Sequence, residues 1–478
     1  MPPPERGRNA NRRPPKRRPT PPRRTPDPPR RIALDLLAAI RERGAYANLT
    51  LPGLLEQARL DERDAALATE LGYGTVRWQG TLDAILARCL DRRPPADLDP
   101  PVLDVLRLGA YQILRTRIPA YAAVAATVNL AGSVVGEGPA RLVNAVLRKV
   151  SKRDLEGWIT ELAPTAGSAD EDDAREISVT GLSLRHAHPE WIVRAIADAL
   201  GPDVAELGAA LAANNERPIV HLVARRIARD ELVSQVGGEP GPWSPYAVRL
   251  PGGGSPHSFA EIRDRRAGVQ DEGSQLMALA LAGAALGDGE PTGWWLDLCA
   301  GPGGKAALLA VLAGDDVRIL AADRAPHRAQ LVAQATRGQP VAVVSADGLA
   351  APWRTGFADR VLVDAPCSGL GALRRRPDAR WRRSPADVDD LVELQRDLLA
   401  AAVTAARPGG VVGYVTCSPH PAETVEIVQW AINRGGVSPI DARTALPEMP
   451  SLGAGPFVQL WPHRHGTDAM FLALLRVS

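Results

Sequence analysis

Trp294-Trp295-Leu296-Asp297-Leu298-Cys299-Ala300-Gly301-Pro302-Gly303-Gly304-Lys305-Ala306-Ala307-Leu308-Leu309-Ala310 is the stretch whose reading decides the fold. An apolar β-type run, a glycine-rich turn and a helix-forming run follow one another without a break. Glycines let the backbone turn sharply and approach a ligand closely, and the helix start offers free N–H groups to an anion or carboxylate. A nucleotide-type cofactor is the expected tenant. Gly301-x-Gly303-x-x-Ala306 formally satisfies the dinucleotide fingerprint, so the loop alone does not separate NAD from S-adenosylmethionine. A Walker A loop is excluded, because it needs glycine at Cys299 and Ser or Thr at Ala306.

Outward from this turn, β-type runs alternate with helical ones: Val317 to Ala321, Val341 to Val344, Arg360 to Val363 and Val411 to Thr416. Such alternation specifies a doubly wound α/β sheet with ligands at the carboxyl ends of its strands. Asp323 ends the next strand, 323 − 301 = 22 residues past the first glycine, about where a carboxylate pairs with ribose hydroxyls. Asp347 follows the strand after that, placed to meet an adenine edge. A single aspartate there is more often a helix cap or turn residue. Two at successive strand ends favour the cofactor.

The next two strands run into Asp364-Ala365-Pro366-Cys367-Ser368-Gly369 and Thr416-Cys417-Ser418-Pro419. Both thiols therefore sit just past strand ends on the cofactor side. Cys89 and Cys299 are expected to be small packing residues. A paired thiol suits a cytosine ring: thiolate addition at C6 makes an enamine whose C5 attacks a sulfonium methyl, and elimination restores aromaticity.

With these segments the chain resembles the RNA cytosine-5 methyltransferases of the Sun/Fmu (RsmB-like) family. The resemblance extends to Leu71-Gly72-Tyr73-Gly74-Thr75-Val76-Arg77, Leu106 to Gln112, Val143 to Arg148 and Val269 to Gln275. It implies a NusB-like all-α domain followed by a small α+β segment and a Rossmann-like class I methyltransferase domain. By the same resemblance Cys299, Ala300, Gly301, Pro302, Gly303, Gly304, Lys305, Asp323, Asp347 and Asp364 bind S-adenosylmethionine. Cys417 is then the nucleophile, Cys367 assists product release, and Asp364 belongs to the catalytic group. Small-subunit ribosomal RNA is the expected substrate; transfer RNA, and a non-catalytic RNA-binding or antitermination role, are the alternatives. Two departures from the family pattern bear on helpers near the base: Glu423-Thr424 in place of Glu-Asn, and Asp468-Ala469-Met470-Phe471 in place of Asp-Gly-Phe-Phe.

At 478 residues, 45% hydrophobic and 23% charged, the composition is that of a globular chain of about three domains. We expect a basic, disordered tail over 1–30, a helical RNA-binding domain over 31–153, a linker over 154–185, a small α+β RNA-binding segment over 186–266 and the catalytic domain over 267–478. Residues 1–30 hold ten Lys/Arg and two acids, so +8 of the net +2 lies in the tail and the body is negative. RNA affinity must come from that tail and from local patches. The foremost patch is Arg374, Arg375, Arg376, Arg380, Arg382 and Arg383 around Trp381; Arg225, Arg226, Arg229, Arg263, Arg265 and Arg266 form a weaker one. Four scattered cysteines, with no C-x-x-C pair, predict neither a disulfide framework nor a metal, and His463-x-His465 reads as surface. With no apolar stretch of membrane-spanning length, a reducing cytoplasm is the expected compartment.

Overall fold

The computed structural model describes residues 27–478 apart from 92, 164–170, 202–203 and 252–255. Most of the expected tail lies outside the described residues. Its last three residues instead open the first helix, Pro28–Arg43, whose two prolines occupy the first turn, where a missing N–H costs nothing.

Helices Ala47–Ala58, Glu62–Cys89, Pro100–Arg115, Ala120–Val134 and Glu137–Val150 complete the bundle, around a core that includes Leu37, Leu82, Leu106, Val143 and Leu147. Glu62–Cys89 is one helix of 28 residues that runs through Gly72, Gly74 and Gly80. These glycines are close-contact points rather than breakers. A Cβ on Gly74 would lie 2.0 Å from Tyr111 Cζ, and one on Gly72 would lie 2.9 Å from Leu36 Cδ2. The expected linker, 154–185, holds two helices, Leu155–Leu162 and Glu171–His186. Asp154 caps the former at the Gly157 N–H, and the Trp158 indole, buried against the bundle, donates to the Val150 carbonyl at 2.9 Å. Burial of that one face overrides the polar composition around it.

Helices Glu190–Leu200 and Val204–Ala213 lead into a small antiparallel sheet of β1 (Val220–Ala224), β2 (Glu239–Pro240), β3 (Ala247–Leu250) and β4 (Ala267–Val269), in the order β2-β3-β1-β4. The large sheet is built from β5 (Trp294–Asp297), β6 (Arg318–Asp323), β7 (Val341–Ser345), β8 (Ala358–Asp364), β9 (Ala406–Thr416), β10 (Val437–Ile440), β11 (Val458–Gln459) and β12 (Phe471–Val477). Its order is β10-β12-β9-β8-β5-β6-β7, with β11 added beside β12. β5 to β9 are mutually parallel, and β12 enters antiparallel to β9. Alternate residues cover opposite faces. Trp295, Ile319, Leu362 and Val411 pack under helices Glu272–Gly283 and Gly304–Ala313; Leu296, Val361, Val363 and Val412 pack under Pro385–Ala405 and Val425–Arg434. The strand order reverses between β5 and its two neighbours β6 and β8, which opens a crevice at their carboxyl ends. Among the described residues no helix is long and apolar enough to cross a membrane.

Candidate active site

The glycine turn leaves β5 and folds back on β6. The Gly301 N–H donates to Asp323 Oδ2 at 3.0 Å, the Ala325 N–H donates to Asp323 Oδ1 at 2.9 Å, and Arg328 lies 3.3 Å from Oδ2 while donating to the Gly301 carbonyl at 2.6 Å. A carboxylate offers about four lone-pair positions, so Asp323 is held and still has acceptor capacity. Gly303 sits at φ +104, and a Cβ there would meet Val332 Cα at 2.9 Å, so this position requires glycine on both counts. Asp347 lies after β7, half-exposed, and its Oδ1 accepts from the Leu349 N–H at 3.0 Å. It therefore does cap a turn, as a lone aspartate there commonly does.

Lys305, in the first turn of the helix, is buried and donates to Asp364 Oδ2 at 2.8 Å. Burial pulls its pKa down, but the Asp364 charge and hydrogen bond more than offset this and the net shift is upward. Beneath them Asp297, the last residue of β5, is fully buried, with the Cys299 N–H near it but neither oxygen in full hydrogen-bond geometry. Burial, reinforced by the Asp364 charge, pushes its pKa up to about 8. Gln270 Oε1 is likewise buried and unpartnered, 3.7 Å from where a Cβ on Gly304 would sit. Two orphaned acceptors beside a glycine turn fit a ligand that brings N–H or O–H donors, and the ammonium and ribose hydroxyls of S-adenosylmethionine are such donors. Burial pushes the Cys299 thiol far up, which suits the packing role expected of it.

β8 and β9 bring the other two thiols together: Cys367 Sγ and Cys417 Sγ are 3.4 Å apart. Their titrations diverge. A hydrogen bond from Cys367 lowers Cys417, against burial and the Asp364 charge and with help from Arg376 and Lys305. The same hydrogen bond, then burial and the charges of Cys417 and Glu423, raises Cys367. The two thiols are thus shifted in opposite directions, Cys417 down and Cys367 up.

The arginine-rich stretch after Cys367 does not form the solvent-facing RNA patch expected from the sequence. Arg374 and Arg375 are engaged by Asp468 (2.9 and 3.0 Å) and Asp271 (3.5 and 2.6 Å). Arg380 is completely buried and donates to the Ala187 carbonyl and Asn215 Oδ1, both at 2.9 Å. The Trp381 indole donates to the Val76 carbonyl at 2.7 Å and stacks into the space left by Gly80. Arg382 reaches the Gly44 carbonyl at 2.7 Å. These residues lock the Cys367 turn to the helical bundle; only Arg376 of the group is exposed. In the weaker set Arg225 is half-buried, Arg226 donates to the Asp264 carbonyl at 2.9 Å and Arg266 pairs with Glu231 and Glu261, while Arg226 and Arg263 stay exposed. The histidine pair is likewise not surface. His465 is buried, accepting from the Trp461 N–H at 2.9 Å, and His463 meets Glu206 at 2.6 Å. Sequence reasoning missed Asp297, Gln270 and Glu423. An acid inside an otherwise apolar strand run was the one available signal, and it pointed to Asp297.

A seven-strand core order with parallel β5 to β9, a glycine turn, acids at successive strand ends and orphaned acceptors beneath them define a class I S-adenosylmethionine-dependent methyltransferase. Residues 285–476 match the family described as 16S rRNA methyltransferase RsmB/F, and residues 27–152 match the NusB family. The chain is 54% identical over 448 residues to "Putative methyltransferase Rv1407" of Mycobacterium tuberculosis, covering 93% of this chain and 95% of that one. It is 32% identical over 460 residues to "Ribosomal RNA small subunit methyltransferase B" of Sodalis glossinidius, covering 92% and 96%. In three dimensions the crystal structure of PH0851 aligns with a TM-score of 0.74 at 20% identity, over 95% of this chain and 99% of that one. The chain belongs to the 16S rRNA methyltransferase RsmB/F family, and is an S-adenosylmethionine-dependent RNA methyltransferase with a NusB-type helical domain.

Proposed function

We propose that the enzyme forms 5-methylcytosine in small-subunit ribosomal RNA through a covalent adduct between Cys417 and C6 of the target base. The observation that carries this reading is the thiol pair, 3.4 Å apart at the ends of β8 and β9. Methylation of an amino or ring nitrogen has no use for two thiols. Bound S-adenosylmethionine supplies an electrophilic methyl group. The Cys417 thiolate adds to C6, the C5–C6 electrons make C5 nucleophilic, and C5 takes the methyl. H5 then leaves as a proton, and the electrons returned to the ring expel Cys417. Cys367, adjacent to that sulfur, serves the release.

The residues of the turn from Cys299 to Lys305, with Asp323, Asp347 and Asp364, hold the cofactor in this reading. Asp297 and Gln270 join them as acceptors for its donors. The helical segment 31–153 and the smaller 186–266 segment contact RNA around the catalytic domain from 267 onward. All four cysteines are free, and a reducing cytoplasm is the compartment in which so close a thiol pair stays reduced. Cys367→Ala mixed with substrate RNA and S-adenosylmethionine is expected to accumulate a denaturation-resistant protein–RNA band, absent from the Cys367→Ala/Cys417→Ala double variant. A band from Cys417→Ala and none from Cys367→Ala reverses the two roles, and no covalent species from either ends the C5 reading.

A further inference from the structure

Glu423 is completely buried six residues after Cys417 and uses its carboxylate on both catalytic turns at once. Oε1 accepts from the Ser368 N–H at 2.7 Å and from Gln395 Nε2 at 3.1 Å; Oε2 accepts from the Ser418 hydroxyl at 2.6 Å and from the Ser368 hydroxyl. Ser368 follows Cys367 directly, Ser418 follows Cys417 directly, and the two hydroxyls are 3.2 Å apart. Gln395 also donates to the Pro366 carbonyl at 2.8 Å, just before Cys367, and the Tyr414 hydroxyl holds the Glu423 carbonyl at 2.9 Å. Four donors thus converge on one carboxylate, and bonds to a carboxylate are the stronger kind. The cations of the site, Lys305 and Arg376, act on Cys417, whereas the negative charge of Glu423 acts on Cys367.

We propose that Glu423 is the positioning residue of the thiol pair: it ties the turn after Cys367 to the turn after Cys417, sets the distance between the sulfurs, and by its charge leaves Cys417 as the one that reacts. Its effect on methylation rests on the thiol assignment above; its effect on thiol reactivity does not.

Site-resolved alkylation of the full chain by iodoacetamide, read by peptide mass spectrometry, tests this alongside turnover. The wild type is expected to alkylate faster at Cys417 than at Cys367. Glu423→Gln, of equal size but neutral, is expected to reduce that preference by at least about fivefold and turnover by about 10- to 100-fold, with KM for S-adenosylmethionine within about twofold. Glu423→Asp keeps the charge on a shorter arm and is expected to restore the preference while turnover stays low. Ser418→Ala, which removes one tie and no charge, gives a second route if Glu423→Gln does not fold: turnover should fall about three- to tenfold with the preference unchanged. Wild-type preference and turnover in Glu423→Gln, or wild-type turnover in Ser418→Ala, overturns the proposal. A changed preference in an enzyme that never forms an RNA adduct upholds Glu423 and removes the C5 chemistry instead.

Discussion

The two halves of the site are built on different length scales. On the cofactor side, Asp323 is held by the backbone N–H groups of Gly301 and Ala325, 22 and two residues away. On the thiol side, the Cys367 turn is held by Glu423 at a separation of 55 residues, by Asp468 at 94 from Arg374 and by Val76 at 305 from Trp381. A loop whose N–H groups are tied to the end of the neighbouring strand keeps its shape on any scaffold of the right fold. A turn stabilised by groups from three distant segments keeps its shape only when the whole molecule is assembled. Cofactor binding is therefore the robust property of this enzyme, and alignment of the thiols is the fragile one.

The strongest break of that contrast is Cys417→Ala. Turnover should fall by at least about a thousandfold, since C5 is left unactivated. Calorimetry should still find S-adenosylmethionine affinity within about twofold of wild type, because nothing on the cofactor side has changed. Loss of cofactor binding would mean that the halves are not separable. Next comes Arg375→Ala, which takes a donor from the buried carboxylates of Asp271 and Asp468. Denaturant unfolding should show a loss of about 3 kcal/mol, the cost of leaving buried charge short of partners, and a change below about 1 kcal/mol would show the network to be dispensable.

Asp323→Ala probes the other half, where a smaller effect is expected. A carboxylate already bonded by two backbone N–H groups and flanked by Arg328 has part of its capacity spoken for. Cofactor affinity should fall by about 10- to 100-fold, corresponding to roughly 1.5 to 3 kcal/mol for a charged hydrogen bond, with little change in global stability. Unchanged affinity by calorimetry would remove Asp323 from the ribose. The last probe, read as a slope with pH, concerns Asp297. Its folded pKa is raised to about 8, so its contribution to stability is full below its unfolded value, about 4, and is lost as pH rises towards 8. Thermal unfolding of the cofactor-free protein should decline across that window relative to Asp297→Asn, by at most about 1.4 kcal/mol per pH unit. Parallel curves for the two proteins would show that Asp297 finds a partner in solution.

What the sequence revealed follows the same division. The glycine turn, the acids at strand ends and the two Pro- or Ser-flanked cysteines are legible because their placement is set by position along one strand and its successor. Asp347 shows the limit, since its cap to the Leu349 N–H is the behaviour of an ordinary strand-end aspartate as well as of a cofactor ligand. Arg374 to Arg383 was misread because charge density alone looks solvated; burial of these side chains depends on Asp271, Asp468, Asn215 and Gly44, none of them near in sequence. Glu423 drew attention only as the neighbour of Thr424. Its partners are serines on two loops, and no local pattern marks a residue whose role is to join them. The helix Glu62–Cys89 hid behind its glycines for the same reason, as Tyr111, Leu36 and Trp381 occupy the space that those missing side chains leave.

The seat of Trp381 also has a timetable. Its walls, Val76 and Gly80, leave the ribosome about 300 residues before the tryptophan that fills them. At synthesis rates of about 5 to 20 residues per second the bundle waits roughly 15 to 60 s with an open slot on its flank. The N-terminal helices thus act as a mould cast early, against which the turn carrying Cys367 is pressed late. The order of translation makes the helical end of the protein a folding template for its catalytic end.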